Sequence, residues 1–324
     1  MSDIEKLIFG KDDTENIVSI EVEDDTITVF MEKDGKVTSK TQPNKFWLLS
    51  KAKRKDAKRL DGSLFYKWIT TFDDREEFLE ARKNGFKHRD FSVYDSKESA
   101  MIYNGMTYFK GMKVQDVSVL SFDIETTGIA HNEDSKVLLI SNTYRSKTRT
   151  IRKLFCYDKY DNDKEFFDDW CAWVRKINPS IMIGHNIFGY DLPYMMYCAE
   201  RAGTTLNLGR NNSEIVKDSR VSKFRKDGSQ QYDYNNIYIY GREIIDTFFL
   251  AIKYDFARNY VSYGLKQIIA QEGLEVDDRQ HYDAGTIKDN YKNPEEWEKI
   301  KLYAKHDADD SLSLYDLMIN SYFY

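Results

Sequence analysis

From residue 117 onward, apolar runs of strand length alternate with segments whose apolar residues return at helical spacing. This order restricts the fold more than any other feature of the chain. "VSVLSFDIE" (117–125) reads as a strand, and "KVLLISNTY" (136–144) with "TRTIRKLFCY" (148–157) as its hairpin neighbours. "NDKEFFDDWCAWVRKI" (162–177) carries a helical apolar face behind an Asn or Asp cap. "PSIMIGHN" (179–186) is a short buried strand, and "DLPYMMYCAERAG" (191–203) a helix stopped by glycine. Two further helices lie in "VSYGLKQIIAQEG" and "NPEEWEKIKLYAKHDADDSLSLYDLMINSYF", the second opened by Asn293-Pro294. Strands interspersed with helices in this order predict an α/β fold with a mixed sheet.

The first 110 residues follow another pattern. Residues 15–48 alternate apolar and polar, with Asp34-Gly35 where a two-residue hairpin turn belongs. "KAKRKDAKRL" (51–60) holds six cations between Lys51 and Arg59. It reads either as a solvated helix face or as a patch that steers nucleic acid. "DDREEFLEAR" (73–82) predicts a short amphipathic helix, and "YFKGMKVQDV" a loop. A boundary near residue 110 therefore separates a smaller α+β domain (1–110) from the larger one (111–324). Residues 204–240 are polar and Asn-rich, with a second hairpin signal at Asp227-Gly228.

The 324 residues carry a net charge of −6, which argues against phosphate binding spread over the whole surface. Local sites stay open. No apolar run reaches 18 residues, and the N-terminus lacks the pattern of a signal peptide. Cys156, Cys171 and Cys198 form no CxxC pair. The expectation is a soluble protein of a reducing cytoplasm that makes no use of a membrane.

Chemistry concentrates in carboxylates. Asp123 and Glu125 stand two apart on a strand, so both leave one face. Asp191 starts a helix just after a buried strand; Tyr303 and Asp307 share a helix face at i and i+4. Each segment alone has an ordinary reading: turn carboxylates, an N-cap, a surface pair. No Arg or Lys partner is close to the acids in sequence, and together such groups would repel and raise one another's pKa values. Divalent cations remove that repulsion, and oxygen-only ligands favour Mg²⁺ or Mn²⁺ over zinc.

"FDIETTG", "HNIFGYDLPY" and "YAKHDADDSLSLYDL" resemble the three exonuclease motifs of the DEDD superfamily. More narrowly, they are similar to those of the proofreading domain of family B DNA polymerases, phage-like members included. The Tyr-x-x-x-Asp spacing matches the tyrosine subclass; Leu302 occupies the position where the other subclass needs a His. The resemblance implies a ribonuclease H-like 3′–5′ exonuclease domain and an N-terminal domain of family B type. It also implies a strand-separating β-hairpin within 204–240. It implies two Mg²⁺ or Mn²⁺ ions on Asp123, Glu125, Asp191 and Asp307, in a two-ion phosphodiester hydrolysis with Tyr303 orienting the attacking water. The substrate is then the 3′ end of single-stranded or frayed DNA, with Asn186 and Phe188 as candidate substrate contacts. Lys301 and Lys305 flank Tyr303, where a phosphate contact and a plain solvated face are both open.

Family B polymerases continue into palm, fingers and thumb, whereas this sequence stops at Tyr324. "DSLSLY" (310–315) imitates the start of a polymerase motif but has Asp316 where proline belongs, so no polymerase site is expected in this chain. The expectation is the editing part of a split or truncated polymerase. A separate polymerase subunit would be its partner, with "LMINSYFY" as the candidate docking segment, and the cytoplasm of a bacterial host its place if phage-encoded. Two other classes stay open: a catalytically silent DNA-binding or assembly module, and an RNA-trimming exonuclease. The intact set of four acids argues against the first. The N-terminal domain and the 204–240 insertion argue against the second.

Overall fold

The computed structural model describes residues 10–87, 96–226, 230–277 and 279–323. The chain divides into two compact units, residues 1–32 with 37–112 and residues 33–36 with 113–324.

In the first unit, β1 (Ile17–Glu23), β2 (Thr26–Lys33) and β3 (Lys36–Pro43) form one sheet in that order. Asp34 and Gly35 both have positive φ, 50° and 74°, the conformation a tight hairpin turn demands. A second sheet has the order β4 (Phe46–Ser50), β6 (Trp68–Phe72), β5 (Lys58–Arg59). Two helices, α1 (Arg75–Lys87) and α2 (Ser96–Asn104), accompany these sheets. Ala100 of α2 packs with Ile17, Ile20, Ile27 and Val29, and Phe78 of α1 packs with Phe46 and Leu48. The stretch 51–60 is not a helix. It is a turn-rich loop that ends in β5, because its few apolar residues, Ala52, Ala57 and Leu60, make no helical stripe, whereas Lys58 and Arg59 find strand partners in Ile69 and Trp68.

The second unit is built on a five-stranded sheet in the order β13-β10-β7-β8-β9. Strands β7 (Val119–Thr126), β8 (Val137–Ser146) and β9 (Arg149–Cys156) are an antiparallel meander. Strand β10 (Ile181–Gly184) lies parallel to β7, and β13 (Glu243–Asp246) parallel to β10. The sheet is thus mixed. Helix α3 (Asp163–Ile177) is capped by Asn162, whose side chain accepts the Glu165 N–H at 3.0 Å. Its buried face, with Phe166, Phe167, Trp170 and Val174, joins Leu120, Phe122 and Ile124 of β7 and the apolar side of α4 (Asp191–Arg201) in the main core.

Gly184 ends β10 where β7 passes very close. A Cβ there would lie 2.7 Å from the Phe122 carbonyl oxygen, so only glycine fits. The hairpin β11 (Val216–Arg225) and β12 (Gln231–Tyr238) occupies the polar insertion; its expected turn at Asp227-Gly228 lies outside the described residues. Three helices follow β13: α5 (Thr247–Tyr254), α6 (Leu265–Gln271) and the single turn α7 (Ile287–Asn290).

The last helix, α8 (Pro294–Met318), opens at Asn293, whose side chain accepts the Glu295 N–H at 2.9 Å. It packs on β7 and β8. Ala304, Ala308 and Ser311 are buried along α8, as are Ser121 of β7 and Ser141 of β8, and small side chains let packed backbones approach. The helix runs unbroken through "DSLSLY", so that segment belongs to this fold. "LMINSYFY" departs from the expected docking surface: Met318, Ile319 and Phe323 are buried within the chain's own core, where apolar side chains gain more than in water.

Candidate active site

Because side chains alternate along β7, Leu120, Phe122 and Ile124 fill the core while Asp123 and Glu125 leave the opposite face. Helix α8 crosses that face and delivers Asp307. One carboxylate oxygen from each of Asp123, Glu125 and Asp307 lies within 4.8 Å of the others. A cavity of about 800 Å³ opens over them, with Gly128, Tyr190, Lys288 and Tyr303 in its wall.

Burial and mutual repulsion dominate the electrostatics. Desolvation, then the charges of Asp191, Asp307 and Glu125, hold the Asp123 carboxyl well above the ordinary range. Glu125 is pushed up to about 8 by burial and by Asp307. Burial also raises Asp307, against the opposing pull of Lys266 and Arg279.

Asp191 stands beside this trio. It is the first residue of α4, after Tyr190 at the cap position, and is almost fully buried. Burial lifts it to about 7, although N–H groups of Asp191 itself and of Ile124 hydrogen-bond its carboxylate and pull the other way. Tyr303 is buried one helical turn before Asp307 and hydrogen-bonds it. Asn186 is exposed with φ of 67°, and Phe188 is half-buried, its ring 5.7 Å from Tyr234 of β12.

The fold supplies three residues that sequence reading did not. Lys266, at the start of α6, contacts the Tyr303 hydroxyl, sits 4.0 Å over the Tyr303 ring, and lies 3.9 Å from Asp307 Oδ2. Arg279, nearly fully buried, donates to Asp307 Oδ1 at 2.9 Å and pairs with Asp310. These cations come from 41 and 28 residues upstream in the chain, which is why the acids look unpartnered in sequence. Lys301, one of the two lysines flanking Tyr303, pairs instead with Glu298.

The third is Asp246. Its carboxylate accepts the N–H groups of Asn186 at 2.8 Å, Phe188 at 3.1 Å and Phe248 at 2.9 Å, capping α5 and fixing the loop that leads to Asp191. An Asp directly before the apolar helix "TFFLAIKY" is a cap signal legible in sequence; its grip on the 186–188 loop is not. In the same loop His185 is wedged between Thr247 Oγ1 (3.0 Å) and the Tyr263 carbonyl (2.8 Å), and burial lowers its pKa to about 4.

Residues 102–268 match the family model described as DNA polymerase family B, exonuclease domain. The chain belongs to this family. The match takes in Asp123, Glu125 and Asp191 and ends before α8, which carries Tyr303 and Asp307. The DNA polymerase delta catalytic subunit of Plasmodium falciparum is 30% identical over 173 residues, covering 51% of this chain and 15% of that protein. The corresponding subunit of Schizosaccharomyces pombe is 26% identical over 102 residues, covering 26% of this chain and 9% of its own length. In structure, the family B DNA polymerase of the archaeon Pyrobaculum calidifontis superimposes with a TM-score of 0.69 at 13% identity, over 93% of this chain and 45% of that one. The fold is therefore shared across most of this chain, and the chain spans less than half of each of these proteins. Its larger unit is a ribonuclease H-like exonuclease domain of the family B type. Among the described residues, no helix is long and apolar enough to cross a membrane.

Proposed function

We propose that this chain is a 3′–5′ exonuclease that removes nucleotides from single-stranded or frayed DNA ends, as the proofreading part of a family B polymerase. The observation that carries this reading is the convergence of Asp123, Glu125 and Asp307 within 4.8 Å beneath an open cavity. Oxygen-only donors whose carboxyls are raised by burial and repulsion fit hard divalent cations, Mg²⁺ or Mn²⁺. Two ions bound there supply the charge that makes water nucleophilic and stabilises the departing 3′ oxygen.

The chain's own residues do the positioning. Asp123, Glu125 and Asp307 would hold the ions, with Asp191 beside them. The Lys266 ammonium donates to the Tyr303 oxygen, and Tyr303 hydrogen-bonds Asp307, so the phenol is fixed where it can orient a water at the cavity wall. Asp246 holds the loop that offers Asn186 and Phe188 to the strand being cut. The polymerising part of a family B polymerase is the proposed functional partner of this site.

End labels test polarity. With Mg²⁺, 5′-labelled single-stranded DNA should give a ladder shortening from the 3′ end, while 3′-labelled DNA should release its label at once as a mononucleotide. Faster digestion of RNA of the same sequence would shift the substrate class to RNA. A ladder from internal cuts would overturn the exonuclease assignment.

A further inference from the structure

The basic stretch of the first unit is absorbed neither by the exonuclease site nor by the core. Between Lys51 and Trp68 the chain carries seven cations and two carboxylates, in a protein of net charge −6. The segment is a folded flap between β4 and β6. Its ends are tied by Lys67 N–H to Ser50 O (3.1 Å), and its middle by Leu60 N–H to Lys67 O (2.8 Å).

Cations and rings share this flap. The Lys51 ammonium lies 4.1 Å above the Phe65 ring and the Lys53 ammonium 5.6 Å from that of Trp68. Phe65 is nevertheless 70% exposed and its neighbour Leu64 56%. Lys51, Lys53, Lys55, Lys58 and Arg59 are partnered by no carboxylate among the described residues; neither Asp56 nor Asp61 closes on them. Exposed large apolar side chains set among uncompensated cations suit a ligand with both negative charge and flat apolar faces.

We infer that this flap is a second nucleic-acid anchor, which binds the phosphates of a single strand through Lys53, Lys55, Lys58 and Arg59 and stacks a base on Phe65. An acidic peptide would satisfy the cations and leave the ring unused, and duplex DNA offers no unpaired base to stack. The inference concerns the first unit alone and does not rest on the exonuclease reading.

The test is the affinity of the full chain for a labelled single-stranded DNA 12-mer in EDTA, by fluorescence anisotropy across a salt series. Reversing three charges in Lys53→Glu/Lys55→Glu/Arg59→Glu should weaken binding at least about tenfold at low salt. It should also shrink the slope of log affinity against log salt by about 2, since each phosphate contact on a single strand contributes about 0.7. Phe65→Ala should weaken binding about tenfold with an unchanged slope, the signature of lost stacking. Circular dichroism and the thermal unfolding midpoint are the control for an undisturbed fold. Unchanged affinity and slope in the triple variant would overturn the anchor. So would equal competition by polyglutamate, which would make the flap a general polyanion surface, or a lowered unfolding midpoint in the variants that lose binding, which would trace the effect to the fold.

Discussion

The Lys266 ammonium touches the Tyr303 hydroxyl and lies 3.9 Å from Asp307 Oδ2, so one cation braces both functional groups that α8 brings to the site. Lys266→Met removes that brace and leaves the acids on β7 in place, without the cation that draws the Asp123 and Glu125 carboxyls down. Hydrolysis should slow about 10- to 100-fold, the usual loss when a ligand's supporting partner is removed, with Lys266→Arg closer to the parent. The check is a single-turnover rate; a Lys266→Met rate equal to the parent's would remove the brace from the account.

Arg279 is buried between Asp307 and Asp310. Truncating it in Arg279→Met strands the buried Asp310 carboxylate and leaves Asp307 with Lys266 alone, and the metal-free protein should lose about 3–5 kcal/mol of stability. Urea unfolding measures this. Adding Asp310→Asn should recover part of the loss, because one of the stranded charges is then gone.

Stability of the metal-free protein should fall as pH rises. Glu125 is raised to about 8 and Asp191 to about 7, above their unfolded values. In the window between about pH 4 and those values the folded state binds more protons than the unfolded one, so each step up in pH costs stability. The melting temperature in EDTA should therefore be lower at pH 8 than at pH 5.5. Mg²⁺ should restore more of it at pH 8, where fewer protons have to be displaced than at pH 5.5. Equal melting temperatures at both pH values would contradict the raised carboxyls.

Asp246→Ala removes the α5 cap and both anchors of the 186–188 loop. A loss of about 2–3 kcal/mol is expected from charge-assisted hydrogen bonds of this kind. Hydrolysis should fall with it, while Mn²⁺ affinity, set by the other acids, stays near the parent's. A stability within about 0.5 kcal/mol of the parent, as at an ordinary surface site, would show that the loop does not depend on this carboxylate.

The elements that sequence reading anticipated are those specified by local rules. The Asn162 and Asn293 caps, the Asp34-Gly35 turn and the two-residue period of β7 all act within a few residues of themselves. The DxE pair and the Tyr303–Asp307 spacing were legible for the same reason. What stayed hidden depends on distant parts of the chain meeting. Lys266 and Arg279 reach Asp307 only because α6 and the loop after it pack along α8, and no spacing records that. The helix reading of 51–60 fails because charge density says nothing about strand pairing, and its partner β6 lies beyond it. The terminal segment read as a docking candidate because an apolar run alone does not tell an open surface from a buried one, and the fold buries Met318, Ile319 and Phe323.

The most direct measurement is the single-turnover rate of 3′-nucleotide removal from 5′-labelled single-stranded DNA, with Mg²⁺ and with EDTA, for the parent and for Asp123→Ala/Glu125→Ala. Its circular dichroism should match the parent's. The account predicts metal-dependent removal by the parent and a loss of at least about a thousandfold in the variant, a few kcal/mol of barrier at about 1.4 kcal/mol per tenfold. A folded variant that degrades DNA at the parent's rate would contradict it and place the chemistry elsewhere in the chain.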